Sequence, residues 1–136
     1  MKNNESTENY LETILILHKR NGHVRSIDIA HELSFSKPSV SIAMKALKEK
    51  NYITISDDGA ITLTRVGLDL AEKVYEKHEV LAKALIALGV DEKTAFEDSC
   101  KIEHSISDKS FRLIKNHFEK FSRSSSRSGD IDVVLL

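Results

Sequence analysis

The sequence predicts a mainly α chain, with an N-terminal winged helix-turn-helix followed by an all-helical domain. Three observations carry this. Two short helical patterns are separated by only three residues, Ser34-Phe35-Ser36. Two β-branched runs flank an acidic turn, Ser56-Asp57-Asp58-Gly59. Beyond Thr64 the apolar periodicity is helical up to a Ser/Arg-rich tail. Two helices joined by a tight turn form a DNA-binding unit, and a hairpin after them is its wing.

Glu5 to Arg20 reads as the first helix. Tyr10, Ile14 and Leu17 recur at i, i+4 and i+7, and Leu11 and Leu15 widen the stripe. Ser6, Asn9 and Glu12 make its start polar and acidic, which suits the positive end of the helix dipole. Asn21-Gly22 stops it. Ser26 to Leu33 reads as the second helix, with Ser26 as cap and Ile27, Ile29, Ala30 and Leu33 as its apolar set. The third opens at Ser36-Lys37-Pro38-Ser39 and runs to about Lys50. Ser36 caps it, and Pro38 sits in the first turn, where its missing N–H costs nothing. Val40, Met44 and Leu47 face inward. Tyr52–Ile55 and Ala60–Leu63 form the hairpin.

Thr64 then caps a long helix from Arg65 to about Leu88, ended by Gly89. Glu92 to about Ser105 is a further helix. Asp108 to about Phe121 is the last, capped by Asp108, with Phe111, Ile114, His117, Phe118 and Phe121 as its stripe. The run from Ser122 to Gly129 is low-complexity and reads as flexible. The closing Val133-Val134-Leu135-Leu136 reads as mobile or as lying on a neighbour. The expected division is therefore 1–64 for the winged helix-turn-helix, 65–122 for the helical domain and 123–136 for the tail.

A chain that is 40% hydrophobic and 30% charged is globular rather than disordered. Its net charge of −1 does not point to nucleic acid, but the distribution does. From Leu17 to Lys50 there are seven basic residues against three acidic ones, whereas from Asp91 to His104 acids lead five to two. The single cysteine excludes an intramolecular disulfide. With no signal pattern and no span-length apolar run, the chain reads as cytoplasmic, where a thiolate persists as a ligand.

The residues expected to meet DNA are Arg25, Ser36, Lys37, Pro38, Ser39, Ser41, Lys45 and Lys48, around an outward face that also holds Ile42. Small hydroxyl residues approach base edges closely, and Lys45 and Lys48 reach phosphates. The acidic wing tip argues against its entering the minor groove. The bland alternative is a three-helix bundle whose lysines merely solvate its outer face.

Cys100, Glu103 and His104 fall at i, i+3 and i+4, so one helix face carries a thiol, a carboxylate and an imidazole. His78 lies 22 residues earlier on the long helix, and antiparallel packing would bring it to them. Glu12, with Glu8 and Asn9, lies on the polar side of the first helix, where packing against the long helix would add an oxygen ligand. Such N, S and O donors suit Fe²⁺, Co²⁺, Ni²⁺, Zn²⁺ or Mn²⁺. Against this, a lone cysteine is often a small buried hydrophobe, and Glu103-His104 alone is compatible with an exposed polar edge. No nucleophile–base constellation and no glycine-rich phosphate loop is present, which ranks a metalloenzyme last and leaves no small organic substrate to propose.

The run Glu8-Asn9-Tyr10-Leu11-Glu12-Thr13-Ile14 resembles the opening of the metal-dependent repressors related to the diphtheria toxin repressor and the manganese transport regulator. The resemblance continues through Val24–Ala30, Lys37–Ser41, Leu63–Gly67, Val74–Leu81, Gly89–Glu92 and Cys100–Ser107, covering about residues 5–122 in register. It implies a winged helix-turn-helix followed by a helical metal-binding and dimerisation domain. It further implies a homodimer that binds a palindromic operator when Fe²⁺ or Mn²⁺ is loaded and represses metal uptake. Family ligands fall on Asn9, Glu12, His78, Cys100, Glu103 and His104. The length matches the short, two-domain members, which lack an SH3-like domain.

Departures from the family are informative. At Cys100 the iron-responsive members have Cys and the manganese members Glu. At Asn9 the iron members often have Met and the manganese members Asp, so Asn matches neither. Glu12 is like the manganese members. The ancillary iron-branch site needs a carboxylate and a His near Ala82 and Phe96, and neither is there. A thiolate disfavours hard Mn²⁺, so Fe²⁺ is the expected signal and Mn²⁺ the second, with Co²⁺, Ni²⁺ or Zn²⁺ as substitutes in vitro. A metal-independent winged-helix regulator is the rival reading.

Overall fold

The structure, a computed structural model, describes the backbone of residues 2–125 and the side chains of residues 5–120. The elements are α1 (Lys2–Asn21), α2 (Ser26–Leu33), α3 (Lys37–Glu49), β1 (Ile53–Ile55), β2 (Ile61–Leu63), α4 (Arg65–Ala87), α5 (Glu92–Ile102) and α6 (Asp108–Ser125). They form two compact units, one ending at Val74 and the other beginning at Tyr75, so the two meet within α4.

The first unit is a winged helix-turn-helix. Leu11 and Ile14 of α1, Val24, Ile29 of α2, Val40 and Met44 of α3, and Ile53 and Ile61 of the strands are each at most 2% exposed. Burying each such side chain stabilises the fold by about 1.5–3 kcal/mol relative to exposure. The strands are antiparallel, with Ile53 opposite Leu63 and Ile55 opposite Ile61. Ile61 N–H also donates to Val24 O at 2.8 Å, which ties the wing to the chain just before α2.

Local chemistry sets the helix ends. The residue capping α2 is Arg25 rather than the expected Ser26: Arg25 is extended (φ −128°, ψ 165°) and Ser26 is already helical. Asp28 decides this, because its carboxylate reaches back to accept Arg25 N–H at 2.9 Å. Ser36 caps α3, its hydroxyl accepting Ser39 N–H at 3.3 Å, and Pro38 follows in the first turn. Both helices end on a non-glycine residue in the left-handed region, Ser34 (φ 57°) and Asn51 (φ 64°). In each case the next N–H folds back onto the helix: Phe35 to Ala30 O at 3.1 Å, Tyr52 to Leu47 O at 3.0 Å.

The start of α4 lies tight against the hairpin. Thr64 Oγ1 donates to Asn51 O at 2.7 Å and accepts Gly67 N–H at 3.1 Å, and Thr64 N–H donates to Tyr52 O at 3.0 Å. At Gly67 a Cβ would sit 2.0 Å from the Tyr52 carbonyl oxygen, so only glycine allows this approach.

In the second unit, the remainder of α4 is joined by α5 and α6. Asp91 caps α5 by accepting Thr94 N–H at 3.0 Å, a bond that also holds its carboxyl below the usual carboxylate range. Helix α5 stops at Ile102, short of the expected Ser105, because Ser105 and Ile106 both turn their N–H groups onto Ile102 O. The cap of α6 is Ser107 rather than the expected Asp108: its hydroxyl accepts Ser110 N–H at 3.0 Å. Asp108 instead sits in the first turn and pairs with Lys77 of α4 at 3.2 Å. Lys115 of α6 pairs with Glu76 of α4 at 2.5 Å, which raises the lysine's pKa. Helix α6 runs to Ser125, past the expected Phe121, and takes in the first residues of the segment read as a flexible tail. The rest of that segment, including Val133–Leu136, lies outside the described residues. Among the described residues no helix is long and apolar enough to cross a membrane.

Candidate metal centre and nucleic-acid interface

In the second unit α4 and α5 place three donor types around one point. His78 of α4 is 3% exposed and Glu103 is 1% exposed, so both polar groups are held inside. His78 Nδ1 is the focus. Glu103 Oε1 lies 2.9 Å from it, Ser99 Oγ 3.0 Å and Cys100 Sγ 3.7 Å. Ser99 donates its hydroxyl hydrogen to Phe96 O at 3.2 Å. A ring nitrogen ligates a cation through its lone pair, so Nδ1 must be free of hydrogen to do so. His104 stands beside the same carboxylate, its Nε2 3.7 Å from Glu103 Oε2.

The helix ending at Ile102 alters how this cluster is made. Cys100 is on α5, but Glu103 is its C-terminal cap and His104 belongs to the turn that follows. Glu103 keeps helical dihedrals (φ −58°, ψ −28°) and donates its N–H to Ser99 O at 2.9 Å. The i, i+3 relation to Cys100 thus survives one residue past the helix.

Ligand atoms of His78, Cys100 and Glu103 all lie within 4.8 Å of one another. Metal–ligand bonds of about 2.0–2.3 Å separate the atoms bound to one ion by roughly 3–4 Å. An imidazole, a thiol and a buried carboxylate at these separations fit a divalent transition metal. Cys100 is exposed at the rim, while the imidazole and carboxylate form the floor. Asn9 and Glu12 lie on α1, in the first unit.

Two residues near the cluster were not read from the sequence. Ser99, fully buried, braces His78. Phe96 packs edge-on against the His78 ring, with centroids 4.8 Å apart. Ser99 lies four residues before Glu103 on the same face, and that spacing was the available signal.

In the first unit, Lys37, Pro38, Ser39, Ser41, Lys45 and Lys48 are all exposed on α3, opposite the buried Val40–Met44–Leu47 stripe. Ser36 sits at the helix start, its hydroxyl shared with Ser39 Oγ at 2.8 Å. Arg25 is occupied differently: its guanidinium meets Asp58 of the wing tip at 3.4 Å. Asp58 is also held by the Ser56 hydroxyl and the Ala60 N–H, and these bonds, with Arg25, keep its carboxyl below the usual range.

Two family models match consecutive parts of the chain. The N-terminal DNA-binding domain of iron-dependent repressors matches residues 3–61. The metal-binding and dimerisation domain of iron-dependent repressors matches residues 64–130. A helix-turn-helix transcriptional regulator of Methanocaldococcus jannaschii, itself uncharacterised, is 35% identical over 119 residues, covering 86% of this chain and 95% of its own. The helix-turn-helix transcriptional regulator MntR of Bacillus pumilus is 30% identical over 129 residues, covering 95% and 90%. Among solved structures, the manganese regulator SloR superposes with a TM-score of 0.73 at 26% identity over 83% of this chain. The chain spans 53% of the SloR chain, about half its length.

Proposed function

The chain belongs to the iron-dependent repressor family, and from that premise we propose that it is a repressor of metal-uptake genes that responds to Fe²⁺. The family is one of metal-dependent, DNA-binding transcriptional regulators and not of enzymes. Its two domains supply DNA and a second copy of the chain as partners, and a divalent metal as the cofactor class.

The observation that carries the reading is the convergence of His78, Cys100 and Glu103 within 4.8 Å. A divalent cation there supplies a fixed positive charge that draws imidazole, thiolate and carboxylate to one centre. His104, and Asn9 and Glu12 of α1, complete the ligand set on this proposal, supported by the residue-by-residue resemblance. That linkage couples the DNA-binding unit to the metal-binding unit. Loading then favours the state in which a dimer's two α3 helices match the half-sites of a palindromic operator, about one helical turn apart. The thiolate of Cys100 is what favours Fe²⁺ over harder Mn²⁺. Mn²⁺ is the second reading, favoured by the likeness to SloR, a manganese regulator.

The deciding experiment measures operator binding with Fe²⁺, Mn²⁺, Co²⁺ and Zn²⁺ in parallel, under anaerobic, reducing conditions. Fe²⁺ should tighten binding at the lowest free concentration. Equal affinity with and without every metal would sink the proposal and leave a metal-independent regulator. A better response to Mn²⁺ would transfer the signal to that ion.

Lys45 is assigned to a phosphate. Lys45→Ala is expected to weaken binding to all duplexes alike and to lower the slope of log K against log salt by about 1. An unaltered slope would remove Lys45 from the phosphate contacts.

A further inference from the structure

The centre of the outward face of α3 is apolar. Ile42 is 71% exposed, although a large aliphatic side chain gains from burial. It lies two residues from Val40 and two from Met44, both buried. At 100° per residue that is about 200° around the helix, so Ile42 points directly away from the core. Its neighbours one turn away are Pro38 and Ala46, also exposed, which makes a narrow apolar stripe along the face. Ser39 and Lys45, three residues to either side, border it.

Nothing in the first unit requires an isoleucine there. The core contacts of α3 are made by Val40, Met44 and Leu47. The helix Lys37–Glu49 also contains no Arg, Asn or Gln, the side chains whose planar ends pair bidentately with a guanine or adenine edge. Its serines and lysines can hydrogen-bond base edges, but only an apolar side chain can recognise a methyl group. The thymine C5-methyl is the one apolar group that the four standard bases present in the major groove.

We infer that Ile42 is a specificity-determining residue that reads a thymine methyl in each half of the operator. This rests on the regulator reading above and extends it to the identity of a base. Lysines of the same helix, Lys37, Lys45 and Lys48, hold phosphates and fix register without carrying sequence. Contact between the isoleucine and the methyl removes both from water, and mismatched bases leave Ile42 facing a polar edge.

The test uses the full-length protein loaded with Fe²⁺, or with Mn²⁺ if that is the better activator. A duplex is first selected from a random DNA pool. Each thymine is then replaced singly by deoxyuridine, which removes the methyl and nothing else. Substitution at one position in each half should weaken wild-type binding roughly fivefold, the scale of one buried methyl. Ile42→Ala, at an exposed site that leaves the fold intact, should bind thymine and uracil duplexes equally at that position. If no position responds to the methyl, or if Ile42→Ala responds as the wild type does, the inference is overturned while the regulator reading stands. If the metal-loaded protein enriches no specific duplex, both are overturned together.

Discussion

Glu103→Gln is expected to abolish the metal-dependent gain in operator affinity while leaving the metal-free affinity unchanged. The substitution keeps the size of a side chain that is 1% exposed, and its amide can still hydrogen-bond His78 Nδ1. What it removes is the negative charge. A neutral amide is a far poorer ligand for a divalent cation than a carboxylate, and here the carboxylate is the anionic floor of the cluster. Allosteric couplings of this kind are worth roughly 1–3 kcal/mol, or about 5–150-fold in affinity. The whole of that factor should disappear. Anisotropy of a labelled operator duplex, titrated anaerobically with and without Fe²⁺, reads it directly. A thermal melt of the metal-free variant that matches the wild type would show that the loss is not one of folding. A gain of wild-type size would remove Glu103 from the ligand set.

The second large effect is on stability. In Gly67→Ala two terms oppose each other. Alanine in a helix interior gains about 0.5–1 kcal/mol over glycine. Against that, the new Cβ would lie 2.0 Å from Tyr52 O, a backbone atom with no rotamer to swing aside. Overpacking typically costs 1–3 kcal/mol, and more when the backbone itself must move. The clash should win by about 1–2 kcal/mol. It would push α4 from the hairpin and strain the Thr64 bonds to Asn51 O and Tyr52 O. Urea denaturation should show a lower midpoint with an unchanged slope. A variant as stable as the wild type would mean that the approach of α4 to Tyr52 is looser than described.

Features set within a few residues of sequence were legible. Ser36, Pro38 and the stripe Val40–Met44–Leu47 specify α3, and the two β-branched runs specify the hairpin, whose register places Ile53 and Ile61 inside. The i, i+3 spacing of Cys100 and Glu103 likewise set a thiol and a carboxylate side by side, and the structure brings both to His78. Features decided by competition between neighbours were less so. Ser26 is the better cap by type, yet Asp28 captures the N–H of Arg25 and moves the boundary. Ser107 outcompetes Asp108 in the same way. The end of α5 depends on two N–H groups choosing one carbonyl, which no periodicity announces. The serine-rich run after Phe121 was read by composition, but extending a helix already formed costs little compared with starting one. The reason for Gly67 is a carbonyl fifteen positions away in the chain, which no local pattern announces.

The pairing of Arg25 with Asp58 bears on what salt measurements will count. A basic residue that neutralises a phosphate frees cations condensed on the DNA, and each release steepens the dependence on ionic strength. Arg25 carries a wing-tip carboxylate 3.4 Å away. If a phosphate took that carboxylate's place, Asp58 would stay tethered beside the duplex as a negative charge and offset part of what Arg25 contributes. On the proposed DNA-binding face, the salt slope would then count Arg25 as less than one full contact.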